Sequence, residues 1–110
     1  MMLDRKSASH HSERVVEVIA HETAQFIARE AGIESLITVI RAVPFAHGER
    51  VTVFVSVFPI EKSHAALAFL ERQREALSNY LKNHTRLSPL PRVDFLLDNG
   101  EQSLPEGSVQ

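Results

Sequence analysis

The chain has no cysteine, no long apolar run and no excess of basic residues. Without cysteine it can form no disulfide, iron–sulfur cluster, thiol nucleophile or cysteine-based zinc site, which fits a reducing cytoplasm. No apolar stretch approaches the roughly 20 residues that span a bilayer. Residues 1–13 also lack the apolar centre of a signal peptide. These absences predict a cytoplasmic protein with no membrane partner.

The charge balance argues against a generally basic nucleic-acid-binding protein. The formal net charge is -2, so any phosphate contact must come from a local cluster. The composition, with 44% hydrophobic and 24% charged residues, is that of an ordinary globular protein. A chain of 110 residues suits one domain. We expect a flexible arm over residues 1–11, a domain over residues 12–100 and a flexible tail over residues 101–110.

The first strong pattern is helical. Ser12 is a predicted N-cap, and residues 13–31 are predicted to form the helix. Gly32 follows as a stop. The apolar positions of this helix recur at helical spacing and define one buried face. They are Val15, Val16, Ile19, Ala20, Thr23, Phe26 and Ile27.

Two strands are predicted next. Residues 36–43 are almost all apolar and rich in branched side chains, which indicates a buried strand ended by Pro44. A turn follows in which Gly48 can take positive φ. Residues 50–58 alternate in polarity, so they should pair with the first strand as an antiparallel hairpin. We expect Phe54 and Phe58 to lie in the core rather than to stack on bases.

The second half predicts one or two helices and a strand. Ser63 is a predicted cap, and the apolar stripe that follows skips Arg74, so a helix bends or two helices meet near residues 72–75. Alternation at Val93, Phe95 and Leu97 indicates a last strand, ended by a turn at residues 98–100. The order α-β-β-α-α-β predicts a two-layer α+β domain, with helices covering one face of a three-stranded sheet.

The last segment carries a family resemblance. Its spacing of arginine, leucine, proline, valine, phenylalanine and aspartate resembles the ribosome-binding factor A family, as do residues 51–59 and the pairs at residues 14–15 and 29–30. The residues of the last segment are Arg86, Leu87, Pro91, Val93, Phe95 and Asp98. The resemblance covers about residues 12–100. It implies a type II K-homology-like fold and a bacterial factor that binds the immature 30S subunit and its 16S rRNA. Such a factor assists maturation of the 16S rRNA ends and then dissociates.

The sequence departs from that family at one place. The family usually has an Ala-x-Gly kink between its last two helices, and the corresponding residues here, Gln73 to Glu75, include no glycine. Either packing holds the kink instead, or the helix runs through with only a bend. The departure leaves open whether RNA can approach the backbone there, because glycine permits such approach.

A cationic cluster supplies the candidate RNA-binding residues. Arginine and lysine bind backbone phosphates by charge, and arginine also does so bidentately. The candidates are Arg72, Arg74, Lys82, His84, Arg86 and Arg92. The alternative is a solvated helix face paired with Glu71 and Glu75, and Arg86 can instead pair with Asp94 or Asp98. Together with the family resemblance, the cluster favours RNA contact.

The remaining motifs favour a binding protein over an enzyme. His21 to Gln25 nearly matches the zinc-protease helix, but Gln25 replaces the second ligand, and we interpret it as an ordinary helical turn. Adjacent His10 and His11 fix no metal geometry. No catalytic triad, carboxylate pair or phosphate loop is present, so we expect no enzymatic activity, metal or cofactor. We also expect the protein to be a monomer. The alternative function is a protein–protein interaction or dimerisation module that uses an exposed edge of the strand Val51 to Val57.

Overall fold

The order of elements agrees with the prediction. A computed structural model describes the backbone of residues 2–98 and the side chains of residues 13–98. The helices are α1 (Met2–Glu30), α2 (Ser63–Arg72) and α3 (Arg74–His84), and the strands are β1 (Leu36–Phe45), β2 (Arg50–Phe58) and β3 (Arg92–Leu97). The predicted order α-β-β-α-α-β is therefore confirmed, and so is the α+β class. The predicted tail over residues 101–110 lies outside the described residues.

Both predicted N-caps are wrong. Helix α1 begins at Met2 rather than at residue 13, so Ser12 lies inside the helix. Ser63 is the first residue of α2, and its hydroxyl donates to the carbonyl of Ile60 at 2.7 Å instead of accepting from a free N–H. The residues before both serines already adopt helical or turn structure, and this displaces each helix start toward the N-terminus.

The three strands form one mixed sheet with β2 at its centre. Strand β1 is antiparallel to β2 and β3 is parallel to it. A parallel pair needs a long crossover between its strands, and α2 with α3 provides that crossover. Strand β1 covers one edge of β2 from Arg50 to Phe58, and β3 covers the other edge from Arg50 to Val55. The edge that the predicted interaction module needs at Val51 to Val57 is therefore mostly covered, and this prediction is wrong in that form.

The core lies between one face of the sheet and the three helices. Val51, Val53 and Val55 of β2 are at most 1% exposed, as the alternation in this strand predicts. Against them pack apolar residues from every helix and from β3. These are Ile19, Phe26, Ile27, Leu70, Leu77, Leu81, Val93 and Phe95. Burial of such side chains contributes roughly 1.5–3 kcal/mol each, so this layer contact holds the domain together.

Strand β1 differs from its prediction. It lies at the edge of the sheet, its residues are half-buried or exposed, and it runs through Pro44 to Phe45. Proline lacks an N–H donor, which an edge strand tolerates because one side of the strand needs no partner. In the turn that follows, Ala46, His47 and Gly48 all have positive φ, at 53°, 57° and 89°. Only Gly48 was predicted to do so.

The other face of the sheet carries no helix from the described part of the chain. Phe58 points to this open face and is 73% exposed, so its predicted core position is wrong. Phe54 is half-buried beneath the guanidinium of Arg41, which lies 4.3 Å from the ring centroid. The alternation in β2 places large apolar side chains on both of its faces, but helices pack against only one of these faces.

Candidate nucleic-acid interface

The candidate interface begins at a kink between α2 and α3. Gln73 separates the two helices with φ -91° and ψ 5°, a conformation open to any L-residue. Its N–H donates to the carbonyls of Phe69 and Leu70 at 3.0 and 3.1 Å, and its carbonyl accepts from the N–H of Leu77 at 2.8 Å. The kink therefore exists without glycine. The sequence left open whether one helix bends here or two helices meet, and the structure has two separate helices.

Arg74 holds this kink against the sheet. Its guanidinium lies 2.8 Å from Oε1 of Glu71 and 3.1 Å from Oδ1 of Asp94. Asp94 alternates with buried Val93 and Phe95, so it points away from the helix layer, and Arg74 must reach past the edge of β3 to meet it. Two carboxylates therefore already bind Arg74, which was predicted as an RNA contact.

A groove of about 620 Å³ runs between the kink and β3. Leucine, proline and valine side chains line its floor, while charged side chains stand along its rim. The lining residues are Glu71, Arg72, Arg74, Glu75, Leu77, Ser78, Leu81, Leu90, Pro91, Arg92 and Val93. Three of the six predicted residues, Arg72, Arg74 and Arg92, thus come together here. The N-terminus of α3 also borders the groove, and a helix N-terminus favours anions.

Lys82 and His84 occupy different sides of α3. Lys82 follows the groove-lining Ser78 and Glu75 by four and seven residues, so it flanks the groove on the same helical face. His84 stacks on Tyr80 with ring centroids 3.9 Å apart and donates through Nδ1 to the Tyr80 carbonyl at 2.8 Å. Tyr80 in turn packs on Phe26 of α1, 5.4 Å away, so His84 lies toward α1 and away from the groove.

Arg86 lies in a separate place. It lines a cavity of about 440 Å³ with the β1–β2 turn, including His47 and Glu49. The suggested pairing of Arg86 with Asp94 or Asp98 is not what the structure has. Asp98 follows the far end of β3 and binds Arg41, and Asp94 binds three other arginines.

Those arginines make Asp94 the electrostatic centre of the candidate interface. Its Oδ2 lies 2.9 Å from Nη2 of Arg50, and its Oδ1 lies 3.1 Å from Arg74 and 3.6 Å from Nε of Arg92. Burial acts to raise the pKa of Asp94, but the Arg50 hydrogen bond and the charges of all three arginines outweigh it and lower that pKa. Arg50 was not among the residues predicted from the sequence, because its only signal was its place at the start of a strand.

The groove and its rim carry only a small excess of positive charge. The cations are Arg50, Arg72, Arg74, Arg92 and the flanking Lys82, and the anions are Glu71, Glu75 and Asp94. Five cationic side chains thus face three carboxylates, an excess of two. A surface of this kind can bind phosphate where arginines are exposed, but it does not attract polyanions indiscriminately.

Two further features bear on other kinds of site. Residues 13–98 contain no group of three His, Asp or Glu side chains that could hold a metal ion. In the segment that resembles a zinc-protease helix, His21 is exposed and Glu22 accepts a hydrogen bond from the Tyr80 hydroxyl at 3.4 Å. No helix in the described part of the chain is both long and apolar enough to cross a membrane.

Comparison with solved structures confirms the predicted resemblance and fold. The chain is similar to ribosome-binding factor A from Thermus thermophilus, with a TM-score of 0.68 and 25% sequence identity. The match covers 78% of this chain and 94% of that one. The fold is thus that of a ribosome-binding factor A, with its mixed three-stranded sheet and its paired helices between the parallel strands.

A second solved structure shares the fold at lower identity. It is the solution structure of a Thermotoga maritima protein proposed to be a ribosome binding factor A, with a TM-score of 0.57 and 15% identity. The match covers 84% of this chain and 87% of that one. No protein-family model matches the sequence, and no curated protein matches it significantly.

Proposed function

We propose that this protein is a ribosome-binding factor that binds structured RNA of the immature 30S subunit through the groove between the kink and β3. The observation that supports it most is the fold shared with the Thermus protein over most of both chains. The three predicted arginines that meet at the groove give this fold a place to contact phosphate. In this proposal the protein is a binding factor and not an enzyme.

The exposed cations make the phosphate contacts. Arg92 is 61% exposed along its side chain, and Arg72 and Lys82 are exposed as well, so RNA can reach all three. In the free protein Arg74 is held by its two carboxylate partners, which fix the kink against β3. Structured RNA is recognised largely by shape and through phosphates and 2′-hydroxyls, which suits a groove with an apolar floor and a charged rim.

The finer steps follow from the same proposal. The protein binds 16S rRNA as a monomer in the cytoplasm without a cofactor, assists maturation of the rRNA ends and then leaves the subunit. His84 and Arg86, which lie outside the groove, contact RNA only if the bound surface extends over α3 toward α1 or over the β1–β2 turn.

A charge-reversal experiment tests the proposal. The variant R72E/R92E should lose most binding to purified immature 30S subunits in a sedimentation assay, and the remaining binding should depend less on salt. The matched control R14E/R29E changes the net charge equally on α1, away from the groove, and should bind like the wild type. Equal binding by both variants, or binding by the wild type that is independent of salt, would rule out RNA contact through this groove.

A second candidate function is protein–protein contact through the open sheet face. Leu36 and Phe58 are direct cross-strand neighbours and are 65% and 73% exposed, which is unusual for large apolar side chains. If this face joins two copies of the chain, analytical ultracentrifugation should give a dimer that F58D converts to a monomer. A monomeric wild type whose mass does not change with concentration would exclude this self-association.

A further inference from the structure

The carboxylate of Asp94 lies close to three arginines from three different elements. Arg50 comes from the start of β2, Arg74 from the start of α3 and Arg92 from the start of β3, and all three lie within 3.6 Å of Asp94. We call these three residues the arginine cluster. Asp94 is only 20% exposed along its side chain, so it sits inside the cluster rather than beside it.

The arginine cluster has N–H donors and positive charge that Asp94 does not use. A guanidinium presents five N–H donors in a planar fork, and Arg50 uses two of its nitrogens on Asp94, at 2.9 and 3.3 Å. The side chains of Arg50 and Arg92 are 55% and 61% exposed, so their remaining donors face solvent. Three cations around one carboxylate leave a local excess of positive charge, even after Glu71 binds Arg74.

We infer that the arginine cluster is a phosphate-binding site and that Asp94 occupies it in the free protein as a built-in competitor. A phosphodiester carries the same unit charge as a carboxylate and offers two free oxygens in a similar arrangement. It would therefore take the same N–H donors, and arginine is the residue best suited to hold it. The identification of that phosphate as RNA backbone rests on the proposed function.

The competition has a consequence for selectivity. A phosphate at the cluster must displace hydrogen bonds to Asp94 and meets repulsion from its charge. An isolated phosphate or an arbitrary polyanion therefore binds weakly. An RNA that also reaches Arg72 and Lys82 along the groove gains the extra contacts needed to displace the carboxylate. Asp94 thus acts as a specificity-determining residue of the interface.

The test uses two matched variants of the same strand. D94N removes the competing charge and keeps the shape of the side chain. D98N removes one carboxylate from the far end of β3, where it binds Arg41 outside the arginine cluster. Binding of a fluorescein-labelled RNA hairpin is measured over a range of salt concentrations, with circular dichroism and thermal unfolding to show that both variants fold.

D94N should bind the hairpin about 5- to 10-fold more tightly than the wild type at low salt, as removal of one nearby like charge predicts. Its salt dependence should be steeper by about one phosphate contact. D98N should change affinity less than about two-fold, because its carboxylate lies outside the cluster. A folded D94N that binds the hairpin no better than D98N would overturn the inference, since the network would then be purely structural.

A measurement on the wild type keeps the test independent of how D94N folds. Titration with inorganic phosphate, followed by NMR of arginine Nε–H groups, should shift Arg50, Arg74 and Arg92 while Arg41 stays unchanged, and chloride at equal ionic strength should shift none. Equal shifts at Arg41 would refute the site. If phosphate shifts the cluster but neither the hairpin nor 30S subunits bind, the proposed function fails while the site stands. If 30S subunits bind without cluster shifts, the site fails alone.

Discussion

Arg74 of α3 and Asp94 of β3 meet at 3.1 Å, and this contact joins the helical kink to the edge of the sheet. Nineteen residues of chain lie between the two, and they include the rest of α3 and the proline-containing segment before β3. The pair therefore fixes the start of α3, on one side of the groove, relative to β3 on the other side. Its geometry, rather than a glycine, keeps the kink where the apolar stripe is interrupted.

Loss of this contact should destabilise the domain. We expect Arg74→Ala to lower the free energy of unfolding by about 1–3 kcal/mol, because it removes hydrogen bonds between charged groups and leaves Asp94 with fewer partners. Urea denaturation monitored by circular dichroism measures the change. Arg72→Ala, an exposed neighbour with no ion pair among the described residues, is the control and should cost less than about 0.5 kcal/mol. Equal losses in both variants would contradict the anchoring role of Arg74.

The kink should gain nothing from a glycine. Gln73 has negative φ and a satisfied N–H, so glycine relieves no strain there and adds conformational entropy to the unfolded chain. We expect Gln73→Gly to lower stability by about 0.5–1 kcal/mol in thermal unfolding. Gln73→Pro, which removes the N–H that bonds Phe69 and Leu70, should cost more. A more stable Gln73→Gly variant would mean that the kink is strained.

Lowering the pH should remove the stability that the ion pairs of Asp94 contribute. Because the folded state lowers the pKa of Asp94, its charged form adds stability above the ordinary carboxyl pKa of about 3.9, and that stability is lost as pH falls through the lowered value. The wild type should therefore be more stable than D94N at pH ~7, and the difference should shrink below pH ~4. Urea unfolding at both pH values measures it. A difference that stays constant down to pH ~2 would show that the charge of Asp94 contributes nothing.

Truncation of a leucine in the core should destabilise the domain much more than truncation of a leucine on the open face of the sheet. Leu81 is 0% exposed in the core and Leu96 is 54% exposed on the open face. We expect Leu81→Ala to cost about 2–5 kcal/mol through lost burial and an unfilled cavity, and Leu96→Ala to cost less than about 1 kcal/mol. Chemical denaturation of the two variants gives the comparison. Similar losses would mean that the open face is covered in solution.

Local patterns in the sequence were enough for the elements and for one buried face. Alternation in residues 50–58 and helical spacing around Ile19 and Leu70 are set by backbone geometry, so they predicted the core valines and the helices that cover them. The interruption at Arg74 likewise predicted the place of the kink. The two serine caps were wrong because a good cap residue does not prevent a helix from starting earlier.

Only the tertiary structure decided which faces are covered and which charges meet. Alternation predicts two faces of β2 but cannot say that Phe58 lies on the open one, since this depends on where distant helices pack. The cluster of Arg50, Arg74 and Arg92 around Asp94 joins residues from three elements, so no local spacing reveals it. The sequence by itself determined the order of elements and the likeness to ribosome-binding factor A. The crossover of α2 and α3, which sets β3 parallel beside β2, decided the groove and its charges.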